Sequence, residues 1–210
     1  MTKRRKRSEA RGREPNGPVE RDLADYEVLL AVCGGIAAYK SAAVVSKLVQ
    51  RGAGVSVAMT RAGQRFVTPL TFQTLSGRRV STDLWEAEET WDPQHLSLTE
   101  RADLILVAPA TANIIGKMAG GLADDLVSSL LLAAAGPILL APAMNTRMWE
   151  NPIVQDNLRK LEEHGVRFVP PGEGWLACRT VGSGRMAEPE EIVAIVEALL
   201  KKRPPRRLAR

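Results

Sequence analysis

The chain has 210 residues, 45 % of them hydrophobic, with 29 basic and 24 acidic side chains, enough for one domain with a full core. Thirteen of the basic residues lie in residues 1–14 and 201–210, which leaves 16 basic against 22 acidic residues between them. The positive charge therefore belongs to two tails and not to a folded face built to grip nucleic acid. The longest apolar run, Leu130–Ala135, is far short of a membrane span, and no apolar segment follows the basic N-terminus as it would in a secretory signal.

Cys33 and Cys178 have no metal-type spacing, and the sequence suggests neither a metal site nor a disulfide. A reduced, cytoplasmic setting follows. Residues 1–24 and 202–210 read as solvated basic tails, and residues 25–201 as a single α/β domain.

Tyr26–Val32 reads as a buried strand leading into Cys33-Gly34-Gly35-Ile36-Ala37, then a helix to about Gln50 with Val44, Val45, Leu48 and Val49 inward and Gly52 at its end. Strand, glycines and helix in that order bring a phosphate or cofactor against backbone N–H groups, although the spacing is neither G-x-G-x-x-G nor a P-loop. Val55–Met59 is a second strand. It ends at Thr60-Arg61-Ala62, where Thr60 either meets a phosphate or caps a short helix through Phe66. A short helix over Thr68–Leu75 and an edge strand over Val80–Asp83 follow. His95 stands at the entry to another short helix that ends near Arg101, just ahead of the central strand, where a general base would be useful.

Leu104–Ala108 is apolar throughout, as a strand buried on both faces must be, and Pro109 is expected to stop it. Thr111 and Asn113 then cap a helix whose apolar positions are Ile114, Ile115, Met118 and Leu122. Their polar groups, with the free N–H groups of a helix start, suit a phosphate or the polar edge of an aromatic cofactor. Asp124 and Asp125 supply negative charge at the start of a helix through Leu132. The same grammar recurs after the strand Ile138–Ala141, so A-P-A-T-A-N and A-P-A-M-N set Asn113 and Asn145 at two strand ends of one site. A helix over Asn151–His164 and a strand over Val166–Val169 come next. Pro170–Arg185 is then a glycine-rich loop of lid or binding-loop length, and it carries Cys178. A helix over Glu188–Lys201 closes the domain.

GGIAAYK, MTRAGQRFV, His95-Leu96, APATANIIGKMAGGLADDL, APAMNTRMW and LACRTVGSGRM occur in that order. Together they resemble the homo-oligomeric flavin-containing cysteine decarboxylases, over roughly Tyr26–Leu200. The resemblance implies a Rossmann-like (flavodoxin-like) parallel sheet with helices on both faces. It also implies FMN bound across a subunit boundary in a trimer, with dodecamers in some members. Carried over residue by residue, it sets Gly35 and Ile36 near the flavin, and Thr60 and Ala62 near its phosphate. Thr111, Ala112, Asn113 and Ile114 serve the phosphate, ribityl and ring edge, with Ala143 close by. His95 matches a catalytic base, Asn145 a carboxylate ligand and Cys178 an acid in a clamp over about 170–186, with Met144, Ala177 and Arg179 beside the substrate.

The implied reaction oxidises the Cβ–S carbon of a cysteine to a thioaldehyde, which drains the electrons released by decarboxylation into an ene-thiol. Return of the hydride and a proton from Cys178 completes a redox-neutral loss of CO₂. The two motifs APAMN and LACRTVGSGRM together favour 4′-phosphopantothenoylcysteine of coenzyme A synthesis as substrate, with a separate phosphopantothenate–cysteine ligase as pathway partner. The alternatives are a peptidyl-cysteine decarboxylase and a noncatalytic FMN-binding regulatory subunit. One departure stands out: the family generally has glycine after the clamp cysteine, where this chain has Arg179. A backbone with positive φ there would be strained.

Overall fold

The computed structural model describes residues 21–85, 94–175, 177 and 179–206, with backbone only for 94–96. Six parallel strands form one sheet: β1 (Glu27–Val32), β2 (Gly54–Met59), β3 (Val80–Ser81), β4 (Leu104–Ala110), β5 (Ile138–Pro142) and β6 (Arg167–Phe168). Their order is β3-β2-β1-β4-β5-β6. In register, Leu29 lies between Ser56 of β2 and Ile105 of β4. This is the doubly wound order, whose connections reverse direction between β1 and β4.

Both faces of the sheet are covered, which is why its central strands carry apolar residues at consecutive positions. Leu30, Val32, Leu104 and Leu106 pack under α1 (Ala38–Gln50), α2 (Pro69–Ser76) and α8 (Pro189–Leu200). Leu29, Ala31, Ile105 and Val107 pack under α4 (Ala112–Gly120), α5 (Leu126–Leu132) and α7 (Pro152–Glu163), with α3 (Gln94–Arg101) at the margin. The buried Ser41 hydroxyl of α1 donates to the Ala108 carbonyl at 2.6 Å, so this polar group in the core is satisfied.

Four expectations are corrected. Pro109 does not stop β4, which runs on to Ala110. The register against β5 shifts between Val107 and Ala110, and in that irregularity the proline's missing N–H costs no ladder bond. Leu122 lies beyond α4, exposed, because Gly121 takes φ +70 and ends the helix one residue earlier. Pro170–Arg185 is not a structureless loop. Gly172–Trp175 (β7) and Val181–Arg185 (β8) pair as an antiparallel hairpin, which its glycines hid by removing any side-chain alternation. The packed body also extends past residues 25–201: Leu23 is fully buried, and the Arg206 N–H is still hydrogen-bonded to the Asp103 side chain just ahead of β4.

That last contact closes the end of the sheet where the strands begin. Asp103, just ahead of β4, accepts the Glu27 N–H of β1 at 2.7 Å and the Arg206 N–H at 2.6 Å, and the Tyr26 hydroxyl donates to the Arg203 carbonyl at 3.0 Å. No helix among the described residues is long and apolar enough to cross a membrane.

Candidate functional site

At the opposite end, where the strands finish, a cleft of about 860 Å³ opens over β1, β2, β4 and β5. It lies at the reversal of connection order, where open α/β sheets receive ligands. Each wall follows from a local rule. After β1 the chain turns through Gly34, where an added Cβ would collide with the Ala62 Cβ, so only glycine lets the β1 and β2 ends close together. At Gly35 an added Cβ would meet nothing nearer than Pro109 and Thr111 at 3.8 Å, and the wall there is bare. The Thr60 hydroxyl accepts the Gly63 N–H at 3.0 Å and donates to the Val32 carbonyl at 3.4 Å. It thus closes a turn while still lining the cleft.

The two A-P-A strand ends behave alike. Thr111 caps α4 by accepting the Ile114 N–H at 3.4 Å. The N–H groups of Ala112 and Asn113 have no partner among the described residues, as the geometry of a helix start dictates. Asn145 caps α6 (Thr146–Trp149), its Oδ1 accepting the Met148 N–H at 2.9 Å. That bond fixes the amide orientation and leaves the Nδ2 protons free, a neutral donor pair on the cleft wall.

Cys33 and Asp125, which sequence reasoning did not assign to the site, are among the other residues that line it. Cys33 is fully buried, and its thiol is pushed up to about 12, first by burial and then by the Asp125 carboxylate. It stays protonated and serves as packing. Asp125 caps α5 through the Ser128 N–H at 2.8 Å and takes Lys117 Nζ at 2.6 Å. Burial pushes its carboxyl up, but Lys117 and Ser128 outweigh this and hold it below the usual carboxylate range. Its helix-start role was legible. Its place in the cleft was not, because nothing in the sequence shows which way α5 is turned.

The β7–β8 hairpin forms the remaining wall, docked on the segment after β5. The Met144 N–H donates to the Gly184 carbonyl at 3.0 Å and the Thr146 hydroxyl to the Ser183 carbonyl at 2.9 Å. Added Cβ atoms at Gly182 and Gly184 would collide with Thr146 Oγ1 and the Met144 carbonyl, so the close approach accounts for these glycines. Behind it the Lys40 ammonium of α1, buried, donates to the Met186 carbonyl and to Glu188 Oε1, both at 3.0 Å.

Of the residues expected at the site, Gly35, Ile36, Thr60, Ala62, Thr111, Ala112, Asn113, Ile114, Ala143, Met144, Asn145 and Ala177 all line this one cleft. Arg179 is exposed at φ +64 and lies outside the cleft lining. His95 falls in α3, but its side chain, like the whole of Cys178, lies outside the described residues.

A family model described as Flavoprotein matches residues 16–201. The chain belongs to the flavoprotein family. The coenzyme A biosynthesis bifunctional protein CoaBC of Bacillus subtilis (strain 168) is 51 % identical over 175 residues, which cover 83 % of this chain and 43 % of that one. CoaBC of Escherichia coli (strain K12) is 43 % identical over 176 residues, 84 % of this chain and 43 % of its own. The chain thus spans less than half the length of these curated relatives. Among solved structures, a PPC decarboxylase mutant complexed with pantothenoylaminoethenethiol is similar at TM-score 0.77 and 32 % identity, covering 84 % of this chain and 98 % of that one. The FMN binding protein AtHal3 is similar at TM-score 0.75 and 32 % identity, covering 86 % and 99 %. The flavoprotein match thus spans the sheet, the cleft and the hairpin together.

Proposed function

We propose that this chain decarboxylates 4′-phosphopantothenoylcysteine to 4′-phosphopantetheine in coenzyme A biosynthesis, with FMN as cofactor. The observation that carries the reading is the convergence of both A-P-A strand ends, the Gly34-Gly35 turn and the β7–β8 hairpin on one cleft. Relatives named for coenzyme A biosynthesis and PPC decarboxylation support it. The cleft suits FMN: its walls at Gly35, Ala62, Ala112 and Ala143 carry no side chain larger than a methyl, room for a flat ring system. The unpartnered N–H groups of Ala112 and Asn113, with Arg61 on the lip, suit a phosphate. When bound, FMN supplies a reversible hydride acceptor beside the substrate's Cβ–S carbon.

The chain's own residues hold and move protons. Asn145 Nδ2 donates to the substrate carboxylate, and its neutrality matters. A cation there would stabilise the carboxylate charge that must vanish as CO₂ leaves, favouring the ground state over the transition state. His95 takes the thiol proton as carbon–hydrogen cleavage begins, and Cys178 delivers a proton when the ene-thiol is reduced. Met144 and Ala177 flank the substrate on the cleft wall, and Arg179 meets it from the β7–β8 connection outside that lining. We further propose a cytoplasmic homo-oligomer, a trimer or a dodecamer built from trimers, which is the assembly the family resemblance implies. Exposed Ile36, Tyr39, Phe66 and Leu70 supply apolar surface for such an interface.

The test compares wild type with His95→Asn by visible spectrum and by product mass after incubation with 4′-phosphopantothenoylcysteine. A yellow wild type that removes one CO₂, beside a yellow but inactive variant, is the expected result. A colourless protein that takes up no FMN overturns the reading. A yellow wild type active only on a C-terminal peptidyl cysteine transfers the activity to peptide maturation.

A further inference from the structure

Three cations line the cleft among the described residues: Lys40, Arg61 and Arg185. The Lys40 side chain is only 6 % exposed and is engaged by the Met186 carbonyl and Glu188. Arg61 stands at the β2 end, beside Thr60 and Ala62, on the wall given above to the cofactor. Arg185 ends β8, on the wall shared with Met144 and Asn145, and its side chain is 42 % exposed.

Its guanidinium is held in place. Nη2 is 2.8 Å from Glu188 Oε1, the same oxygen that accepts from Lys40 at 3.0 Å, so buried Lys40 anchors the carboxylate that anchors Arg185. The arginine also passes close to Gly174 of β7, where an added Cβ would stand 3.3 Å from Nη1 and 3.7 Å from Cδ. A half-exposed ion pair between neighbouring residues adds little to folding, so stability does not account for this arrangement. With one N–H spent on Glu188, the rest of the five-donor fork remains for a ligand, and a planar fork fits a phosphate.

We propose that Arg185, positioned by Glu188 and Lys40 and passing close to Gly174, binds the phosphate monoester of the substrate and so selects phosphorylated over unphosphorylated substrate. The inference rests on the decarboxylase reading and specifies it. The substrate carries two anions. A cation at the carboxylate would oppose its departure as CO₂, whereas the phosphate persists unchanged from substrate to product. Binding it equally throughout lowers KM without entering the chemical step.

Because the product keeps the phosphate, the contact can be read without turnover. Calorimetric titration of the full-length, flavin-loaded protein with 4′-phosphopantetheine and with pantetheine gives the preference for the phosphorylated ligand. Arg185→Gln is expected to reduce that preference at least tenfold and to raise KM for 4′-phosphopantothenoylcysteine in proportion, with kcat changing far less. Glu188→Gln, which keeps the arginine but loosens it, should fall between. Equal weakening of both ligands, or a fall in kcat at unchanged KM, would mean that Arg185 only fastens the hairpin and would overturn the proposal. So would an undiminished preference in Arg185→Gln. A wild type that turns over neither substrate, yet binds 4′-phosphopantetheine with an Arg185-dependent preference, would sink the decarboxylase reading and leave the phosphate site standing.

Discussion

Arg179 adopts φ +64 in the connection between β7 and β8, a left-handed conformation in which a side chain costs about 1–2 kcal/mol and glycine costs nothing sterically. The sequence already marked this position, because an arginine stands where the resembled family has glycine, and the backbone has the strained geometry that departure implied. Arg179→Gly should therefore raise stability by about 0.5–1 kcal/mol in urea denaturation, the steric relief exceeding the extra entropy of an unfolded glycine. A side chain kept at such a cost points to a use, and we expect the stabilised variant to show a raised KM. Turnover by Arg179→Gly indistinguishable from wild type would remove Arg179 from the substrate site. Other residue-scale facts were beyond sequence reasoning. Asn145 looked like a cap or a ligand, but only the Met148 bond shows that its oxygen caps while its nitrogen stays free. Nothing in the sequence pairs Arg185 with Lys40, which lie far apart in the chain; the hairpin brings both to one oxygen of Glu188.

Elements were legible in proportion to how strongly burial dictates their pattern. β1 and β4 lie in the middle of a doubly covered sheet, so their uninterrupted apolar runs could mean little else. The hairpin β7–β8 reads as loop in the sequence because VGSGR is shaped by close backbone approach to Met144 and Thr146, and Gly174 of GEGW lies against the Arg185 side chain, so neither strand carries a pattern of side-chain burial. The start of α5 shows both levels at once. Asp125 there caps the helix and pairs with Lys117, whose ammonium is held above its ordinary range: burial pulls it down, but bonds to Asp124 and Asp125 together outweigh that. Asp125, with its carboxyl depressed, contributes fully above the unfolded carboxyl value of about pH 4, and the contribution fades as pH falls through the lower folded value. Lys117, raised, contributes below about pH 10 and fades as pH climbs through its folded value. Asp125→Ala should cost about 1.5 kcal/mol at pH 7, about 1 for the cap and less for the solvent-screened pair. Denaturant titrations of both proteins at pH 7 and pH 3 check this, because the difference must narrow at the lower pH. A constant difference would assign the whole cost to packing.

Across the whole molecule the sheet separates its two jobs by end. Beyond the last residues of the strands lie the cleft, the helix starts and the docked hairpin. Before the first residues lie the contacts that join chain segments far apart in sequence: Asp103 holds β1 and the Arg206 segment together, and Asp22 takes both Arg51 at 3.1 Å and Lys201 at 2.8 Å. β1 and β4 run the full depth between these ends with their side chains buried, so a loosened joint at the start of the strands is insulated from the cleft by a packed core. Asp103→Ala strips an acceptor from two backbone N–H groups, one of them part-buried, which costs about 2 kcal/mol. The expected result is a lower urea midpoint at unchanged slope, with kcat and KM for 4′-phosphopantothenoylcysteine within about twofold of wild type at a temperature where both proteins are folded. If the variant instead lost activity in step with stability, the two ends would be coupled, and strand displacement along β1 or β4 would have to be carrying the change from Asp103 to Gly35 and Thr111.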